Sequence, residues 1–249
     1  MNDILSQVGK AAVVTGGASG IGLQTVKLFC AYGARVCAVD ISEPREPLPD
    51  GAVFFRCDVT AEADVRALAA FVEETFGRLD VLFNNAGVIR RKCATELLER
   101  EWDLVVDVTL KGAFLCCKHL IPLMARAGGG SIVNTGSGWG LKGGDQAVSY
   151  CAAKGGIVNM TRALAIDHGP QNIRVNCVCP GDTDTPLLRD EGHQLGVDEK
   201  AFLASSGVGR PLARIGQPID IANAVLFFCS DLALWITGTA LPVDGGGIA

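Results

Sequence analysis

The sequence predicts an α/β fold: a single doubly wound domain on a parallel seven-stranded sheet, with helices on both faces. Three observations predict it. Seven short apolar or β-branched runs recur along the chain, at Ala11 to Thr15, Arg35 to Asp40, Val53 to Arg56, Leu79 to Asn84, Ser131 to Thr135, Ile173 to Val178 and Ala240 to Val243. Longer stretches with helical spacing separate most of them, the pattern of parallel strands joined by crossover helices. The first run passes directly into a glycine-rich turn and then a helix. Right-handed crossovers then wind the chain outward in both directions.

The elements follow in order. Gly20 to Tyr32 reads as the first helix. Ile41 to Gly51 carries Pro44, Pro47 and Pro49 and reads as loop, where an α/β repeat often places a helix. Ala61 to Phe76 is an amphipathic helix with an acidic outer face. A long helix is expected from Trp102 to Ala127, broken near Pro122. Gly128 to Gly130 forms a turn. Val148 to His168 is helical, with no proline until Pro170. Thr185 to Arg210 is polar, contains glycines and lacks a clear period. Pro218 to Ser230 closes the helices. No linker, repeat or composition shift divides residues 1–249, so one domain is expected.

The totals exclude several classes. With 249 residues, 49% hydrophobic and 20% charged, the chain can build one large core. The net charge is −5 and no Lys/Arg block stands out, so nothing suggests nucleic acid. The start lacks the basic and apolar regions of a signal peptide. No apolar run approaches the ~18 residues of a membrane helix. Ten cysteines contain no C-x-x-C pair and three histidines lie far apart, so neither a disulfide framework nor a metal site is expected. A reduced, cytoplasmic protein fits these facts.

The turn Thr15-Gly16-Gly17-Ala18-Ser19-Gly20-Ile21-Gly22 joins the first strand to the first helix. Glycines there allow close backbone approach, and the helix N-terminus offers free N–H groups and a positive dipole end. The arrangement suits a pyrophosphate, and the fold class becomes Rossmann-type. Asp40, followed by Ile41, ends the second strand. A carboxylate there accepts hydrogen bonds from both ribose hydroxyls and repels a 2′-phosphate, which favours NAD over NADP. Arg45 would weaken that preference if it folded back.

Tyr150 and Lys154 are four residues apart, on one face of the predicted helix. A nearby ammonium stabilises a phenolate, so Lys154 is expected to lower the Tyr150 pKa from ~10. The pair would then serve as a proton donor and acceptor at neutral pH.

Taken together, T-G-x-x-x-G-I-G at Thr15 to Gly22, Asn84-Asn85-Ala86-Gly87, Ser137, Tyr150 and Lys154 resemble the short-chain dehydrogenase/reductase family. Pro180-Gly181 with Thr185, and the closing Thr237-Gly238 and Val243 to Gly246, match it as well. The resemblance spans nearly the whole chain. It implies hydride transfer between nicotinamide C4 and a carbinol carbon, with Tyr150 passing the proton and Ser137 holding the substrate oxygen. Lys154 would hold the nicotinamide ribose. Gly16, Ser19, Gly20, Ile21 and Gly22 would surround the phosphates, Asp58 and Val59 the adenine, and Asn85, Ala86 and Gly87 the cofactor's flank. Pro180, Gly181, Thr183 and Thr185 would pack beside the nicotinamide. The cofactor half would run to about residue 135, the substrate half from about 136, with a lid at about 187–208. A homotetramer is implied.

One position departs from the pattern. The family's fourth catalytic residue is an Asn that distorts the long helix so that a carbonyl holds a relay water; Thr109 stands there in this chain. A Thr hydroxyl can bond the i−4 carbonyl and bend the helix itself. For substrate, Asn85-Ala86-Gly87-Val88-Ile89-Arg90-Arg91 resembles the text of family members that oxidise sugar acids, which implies that Arg90 and Arg91 bind a carboxylate; otherwise they meet acids such as Glu96. Trp139, Leu141 and Gln146 are expected in a pocket wall. Leu187, Leu188, Phe202 and Leu203 fit a hydrophobic secondary alcohol. Two alternatives stay open: an enzyme like 3-oxoacyl-carrier-protein reductase, whose relatives favour NADP and a basic glycine turn, and a weakened NAD-binding regulatory protein.

Overall fold

A computed structural model of the chain describes residues 4–249. Seven strands, β1 (Ala11–Thr15), β2 (Arg35–Asp40), β3 (Ala52–Arg56), β4 (Val81–Asn84), β5 (Gly130–Thr135), β6 (Ile173–Pro180) and β7 (Ala240–Val243), form one sheet in the order β3-β2-β1-β4-β5-β6-β7. Every pairing is parallel. The helices are α1 (Gly20–Ala31), α2 (Glu62–Phe76), α3 (Glu99–Val106), α4 (Gly112–Arg126), α5 (Val148–His168), α6 (Pro186–Gln194), α7 (Glu199–Ser206) and α8 (Pro218–Cys229).

Alternation along each strand builds two cores. Ala11 and Val13 of β1 join Cys37 and Val39 of β2 in a core with α2 and α4. Ala12 and Val14 join Val36 and Ala38 in a second core with α1 and α8. Burying each valine is worth ~1.5–3 kcal/mol, so a slip by one residue would find no exposed face to occupy. The proline-rich stretch after β2 forms no helix, as its composition predicts.

Three expectations are corrected. The long helix starts at Glu99, three residues early, because Glu101 accepts the Leu98 N–H at 3.0 Å and pairs with Lys92 at 2.7 Å. Its irregularity lies at Asp107–Lys111, a π-turn in which the Gly112 N–H reaches the Asp107 carbonyl, and Pro122 sits inside α4. Both Pro122 and Lys118, whose carbonyl loses its donor, face solvent, so the proline costs little there. The aperiodic stretch after β6 is two helices. Thr185 caps α6 by accepting the Leu188 N–H at 3.3 Å, with Pro186 at the first helical position, and Asp198 caps α7. Arg189 then ties the two by pairing with Asp184 (2.7 Å) and Glu199.

Candidate active site

The strand order reverses between β1 and β4, which opens a crevice at their carboxyl ends. Thr15 closes its floor: its hydroxyl accepts the N–H groups of Asn85 (2.9 Å) and Ala86 (3.1 Å). Asn85 donates back to the Thr15 carbonyl at 3.2 Å. The glycine turn needs glycine at Gly16 (φ +64°) and Gly20 (φ +51°). A Cβ on Gly22 would run into the Gly16 carbonyl. The first turn of α1, Gly20 to Gly22, leaves its N–H groups without an intrahelical partner, and Gly20 and Ile21 line the crevice.

This crevice is a cavity of about 410 Å³ that gathers Gly16, Ser19, Gly20, Ile21, Asp40, Ile41, Asp58, Val59, Asn85, Ala86, Gly87 and Thr185. Of the residues predicted for the cofactor and not placed in the second pocket below, Gly22 alone lies behind the lining, against Asn85. Among the described residues no lysine or arginine lines this cavity. Arg45 is exposed and outside it. Arg56 is held by the Ile41 carbonyl and Glu43, each at 3.1 Å. Asp40 accepts the Ala18 N–H at 3.2 Å, so the carboxylate is fixed against the turn.

A second pocket, about 190 Å³, opens beside it and shares Ile21, Asn85, Gly87, Thr185 and Leu187. Ser137, Tyr150, Lys154, Pro180, Gly181 and Thr183 all line it. Ser137 Oγ accepts the Trp139 N–H at 3.1 Å and stands in the same pocket as the Tyr150 phenol. The Lys154 ammonium lies 5.5 Å from the centre of the Tyr150 ring and donates to the Thr135 carbonyl at 2.6 Å. The expected lowering of the phenol is not found in the chain by itself. Burial pushes Tyr150 above its usual value near 10, Glu191's charge adds to that, and the Ser137 hydroxyl opposes it. Burial also pushes Lys154 down, to about 8. For both groups desolvation by burial is the largest cause of the shift.

Thr109 lines neither cavity. Its buried hydroxyl accepts the Val88 N–H at 3.4 Å and makes no bond to the i−4 carbonyl. A Cβ on Gly87 would lie 3.5 Å from both Thr109 Oγ1 and Lys154 Nζ, so the two face one another across that glycine. The helix distortion is present in the π-turn that carries Thr109.

The arginines do not form a carboxylate fork. Arg91 pairs with Glu191 of α6 at 2.8 Å, with side chains 8% and 11% exposed, rather than with Glu96. It also stacks on Trp139 at 4.9 Å and donates to the Asp145 carbonyl at 3.1 Å. Arg90 bonds the Ile89 carbonyl and lines neither cavity. Trp139 meets the Tyr150 ring edge-on at 6.3 Å and lines the pocket; Leu141 and Gln146 do not. The residues the sequence did not disclose are Thr135, whose backbone carbonyl carries no residue signal, and Glu191, brought in by a helix that the pattern concealed. The Thr185-Pro186 capping pair was the signal available for that helix.

A dinucleotide crevice continuous with a Ser/Tyr/Lys pocket defines a nicotinamide-dependent oxidoreductase of the doubly wound class. Residues 16–247 match the family model described as enoyl-(acyl carrier protein) reductase. The chain is 39% identical to cis-4-hydroxycyclohexanecarboxylate dehydrogenase of Sinomonas cyclohexanicum, over 95% of this chain and 96% of that one. It is 36% identical to a 3-oxoacyl-[acyl-carrier-protein] reductase of Thermotoga maritima, over 96% and 97%. The structure of Thermoplasma acidophilum aldohexose dehydrogenase superposes with a TM-score of 0.91 at 34% identity, covering 97% of this chain and 94% of that one. The chain belongs to the short-chain dehydrogenase/reductase family. Among the described residues no helix is long and apolar enough to cross a membrane, and no cluster of three His, Cys, Asp or Glu could hold a metal ion.

Proposed function

We propose that the protein is an NAD-dependent dehydrogenase or carbonyl reductase that interconverts a secondary alcohol and a ketone. The observation that carries this reading is the convergence of Ser137, Tyr150 and Lys154 on one pocket, continuous with a cleft that holds two carboxylates, Asp40 and Asp58, and no cation. In this reading the free N–H groups of the α1 N-terminus take the pyrophosphate, Asp40 the adenosine ribose and Asp58 the adenine amino group. Thr183 or Thr185 stands near the carboxamide. When bound, the nicotinamide supplies the hydride donor or acceptor.

The chain's own residues handle the proton. Ser137 holds the substrate oxygen, and Tyr150 exchanges a proton with it. Burial keeps the phenol protonated, which suits donation to a developing alkoxide. Lys154, anchored on the Thr135 carbonyl, places positive charge beside the phenol as it ionises. Thr109, facing Lys154 across Gly87, occupies the relay position. The absence of a cation in the cleft disfavours the NADP-linked 3-oxoacyl reductase alternative. The homotetramer reading is supported by the exposed Trp102, Phe114, Val148 and Ile166 on α3, α4 and α5.

The test is initial-rate reduction of NAD and NADP with secondary alcohols, sugars and sugar acids, run beside Tyr150→Phe. The expected result is NAD reduction with one substrate class and a fall of ~10²–10⁴ in the variant. NAD binding with no turnover on any class would favour the regulatory alternative.

A further inference from the structure

Glu191 is a charged group in the catalytic pocket that the proposed chemistry leaves unused. It projects from α6 into the catalytic pocket, opposite Tyr150 and beside Leu188. The residue is 9% exposed. One carboxylate oxygen, Oε2, accepts from Arg91 at 2.8 Å, and Oε1 has no partner among the described residues. Arg91 is itself fixed by Trp139, the Asp145 carbonyl and Gln194, which accepts its backbone N–H at 2.9 Å. The pocket therefore contains a carboxylate that is oriented from behind and open on its inner side.

Such a group serves one ligand chemistry well. A buried carboxylate oxygen accepts a strong hydrogen bond from a hydroxyl, and leaving it unpaired costs more than pairing it gains. In its ionised form it repels a substrate carboxylate at the same depth; burial pushes its carboxyl up to about 7 against the opposing Arg91 bond, so the repulsion is fullest above neutral pH. The other cations lining the pocket are engaged elsewhere: Lys154 donates to the Thr135 carbonyl at 2.6 Å. Arg210 is committed to Asp182 at 2.7 Å and to the Asp244 carbonyl at 2.7 Å. Lys142 is exposed at the mouth and bonds the Gly247 carbonyl. Simple apolar alcohols would leave Glu191 Oε1 desolvated and unsatisfied.

We infer that Glu191 is a substrate-binding residue for a second hydroxyl close to the reacting carbinol, so that the substrate is a neutral diol, polyol or sugar rather than an acid or a simple alcohol. This rests on the dehydrogenase reading above and names the substrate class of the same site. Arg91 acts as the positioning residue, holding Glu191 in place.

The test compares three ring alcohols on the full-length protein: cyclohexanol, 1,2-cyclohexanediol and cis-4-hydroxycyclohexanecarboxylate. Initial rates are measured for wild type and Glu191→Gln, with diol binding followed by calorimetry in the presence of NADH. The expected result is a diol preference over cyclohexanol in kcat/KM of about 10-fold or more, expressed in KM, which shrinks about 10-fold in the variant. Arg91→Met/Glu191→Leu, which replaces the buried pair by apolar groups, repeats the comparison if the single variant fails to fold. Equal losses on diol and cyclohexanol, an unchanged ratio, or preference for the carboxylate would overturn the inference. Turnover of cyclohexanol without a Glu191-dependent diol preference overturns the inference alone. Diol binding that depends on Glu191, with no turnover of any alcohol, keeps Glu191 as a hydroxyl-binding residue but overturns the dehydrogenase reading and, with it, the reacting carbinol.

Discussion

Asp40→Asn tests the electrostatic choice of cofactor. The substitution keeps the shape and an acceptor for the Ala18 N–H, which Asp40 now receives at 3.2 Å. It removes only the charge. A 2′-phosphate close to the Asp40 carboxylate would meet it at roughly 4 Å, where two like charges cost ~1 kcal/mol in bulk-like water and ~4 kcal/mol at an effective dielectric of ~20. No lysine or arginine lines this cleft to offset that cost. Removing the charge should therefore raise kcat/KM for NADP by a factor between about 5 and about 1,000, since each ~1.4 kcal/mol is tenfold. The NAD value should fall about 10-fold, because hydrogen bonds from the ribose hydroxyls lose their charge assistance. Both are read from initial rates with one alcohol. A repeat at about 1 M salt should narrow the wild-type discrimination, since the Debye length falls to ~3 Å there. If the NADP/NAD ratio is the same in variant and wild type, Asp40 does not set the preference and the argument from charge is wrong.

Two further outcomes follow from buried groups. Asn134 is fully buried, accepts from Asn84 Nδ2 at 2.9 Å and donates to Thr161 at 2.9 Å, so Asn134→Leu strands two partners. The cost should be about 2–5 kcal/mol, a drop in Tm of about 5–15 °C by calorimetry at fixed protomer concentration; a drop under about 2 °C would show that the network is not coupled. Lys154→Met should raise stability at pH 7, because the buried ammonium has a folded-state pKa of about 8 against 10.5 when exposed. Below the lower value both states are charged and the native state carries about 3 kcal/mol of penalty, part of it offset by the bond to the Thr135 carbonyl. As pH rises from about 8 to 10.5 the native lysine is neutral while the unfolded one is still charged, so wild type regains stability and the variant's advantage shrinks. Urea midpoints across that range check it, and an advantage that grows with pH would refute the assignment.

Much of this protein was written locally. β1, the glycine turn and α1 are contiguous, so strand, close-approach glycines and free helix N–H groups follow from one stretch of text. Tyr150 and Lys154 share a face because the helix period puts them there. The proline-rich loop after β2 needed no tertiary information, since proline forbids the helix wherever it sits.

What the tertiary structure decided were partners distant in sequence and effects of burial. Arg91 and Glu191 are 100 residues apart, and only the docking of α6 over the pocket converts a suspected carboxylate fork into a buried ion pair with one oxygen left open. The π-turn lies at Asp107–Lys111, between α3 and α4, and a propensity argument pointed instead to Pro122, which solvent exposure makes tolerable. The proton chemistry depends on the same distinction. Spacing brings a lysine to a tyrosine, but the sign of each shift depends on how much water the fold removes, and desolvation pushes the phenol up and the ammonium down. Local sequence sets period, caps and turns, because those are short-range steric and hydrogen-bonding rules. Dielectric and long-range pairing belong to the folded chain, because no residue carries its own depth of burial.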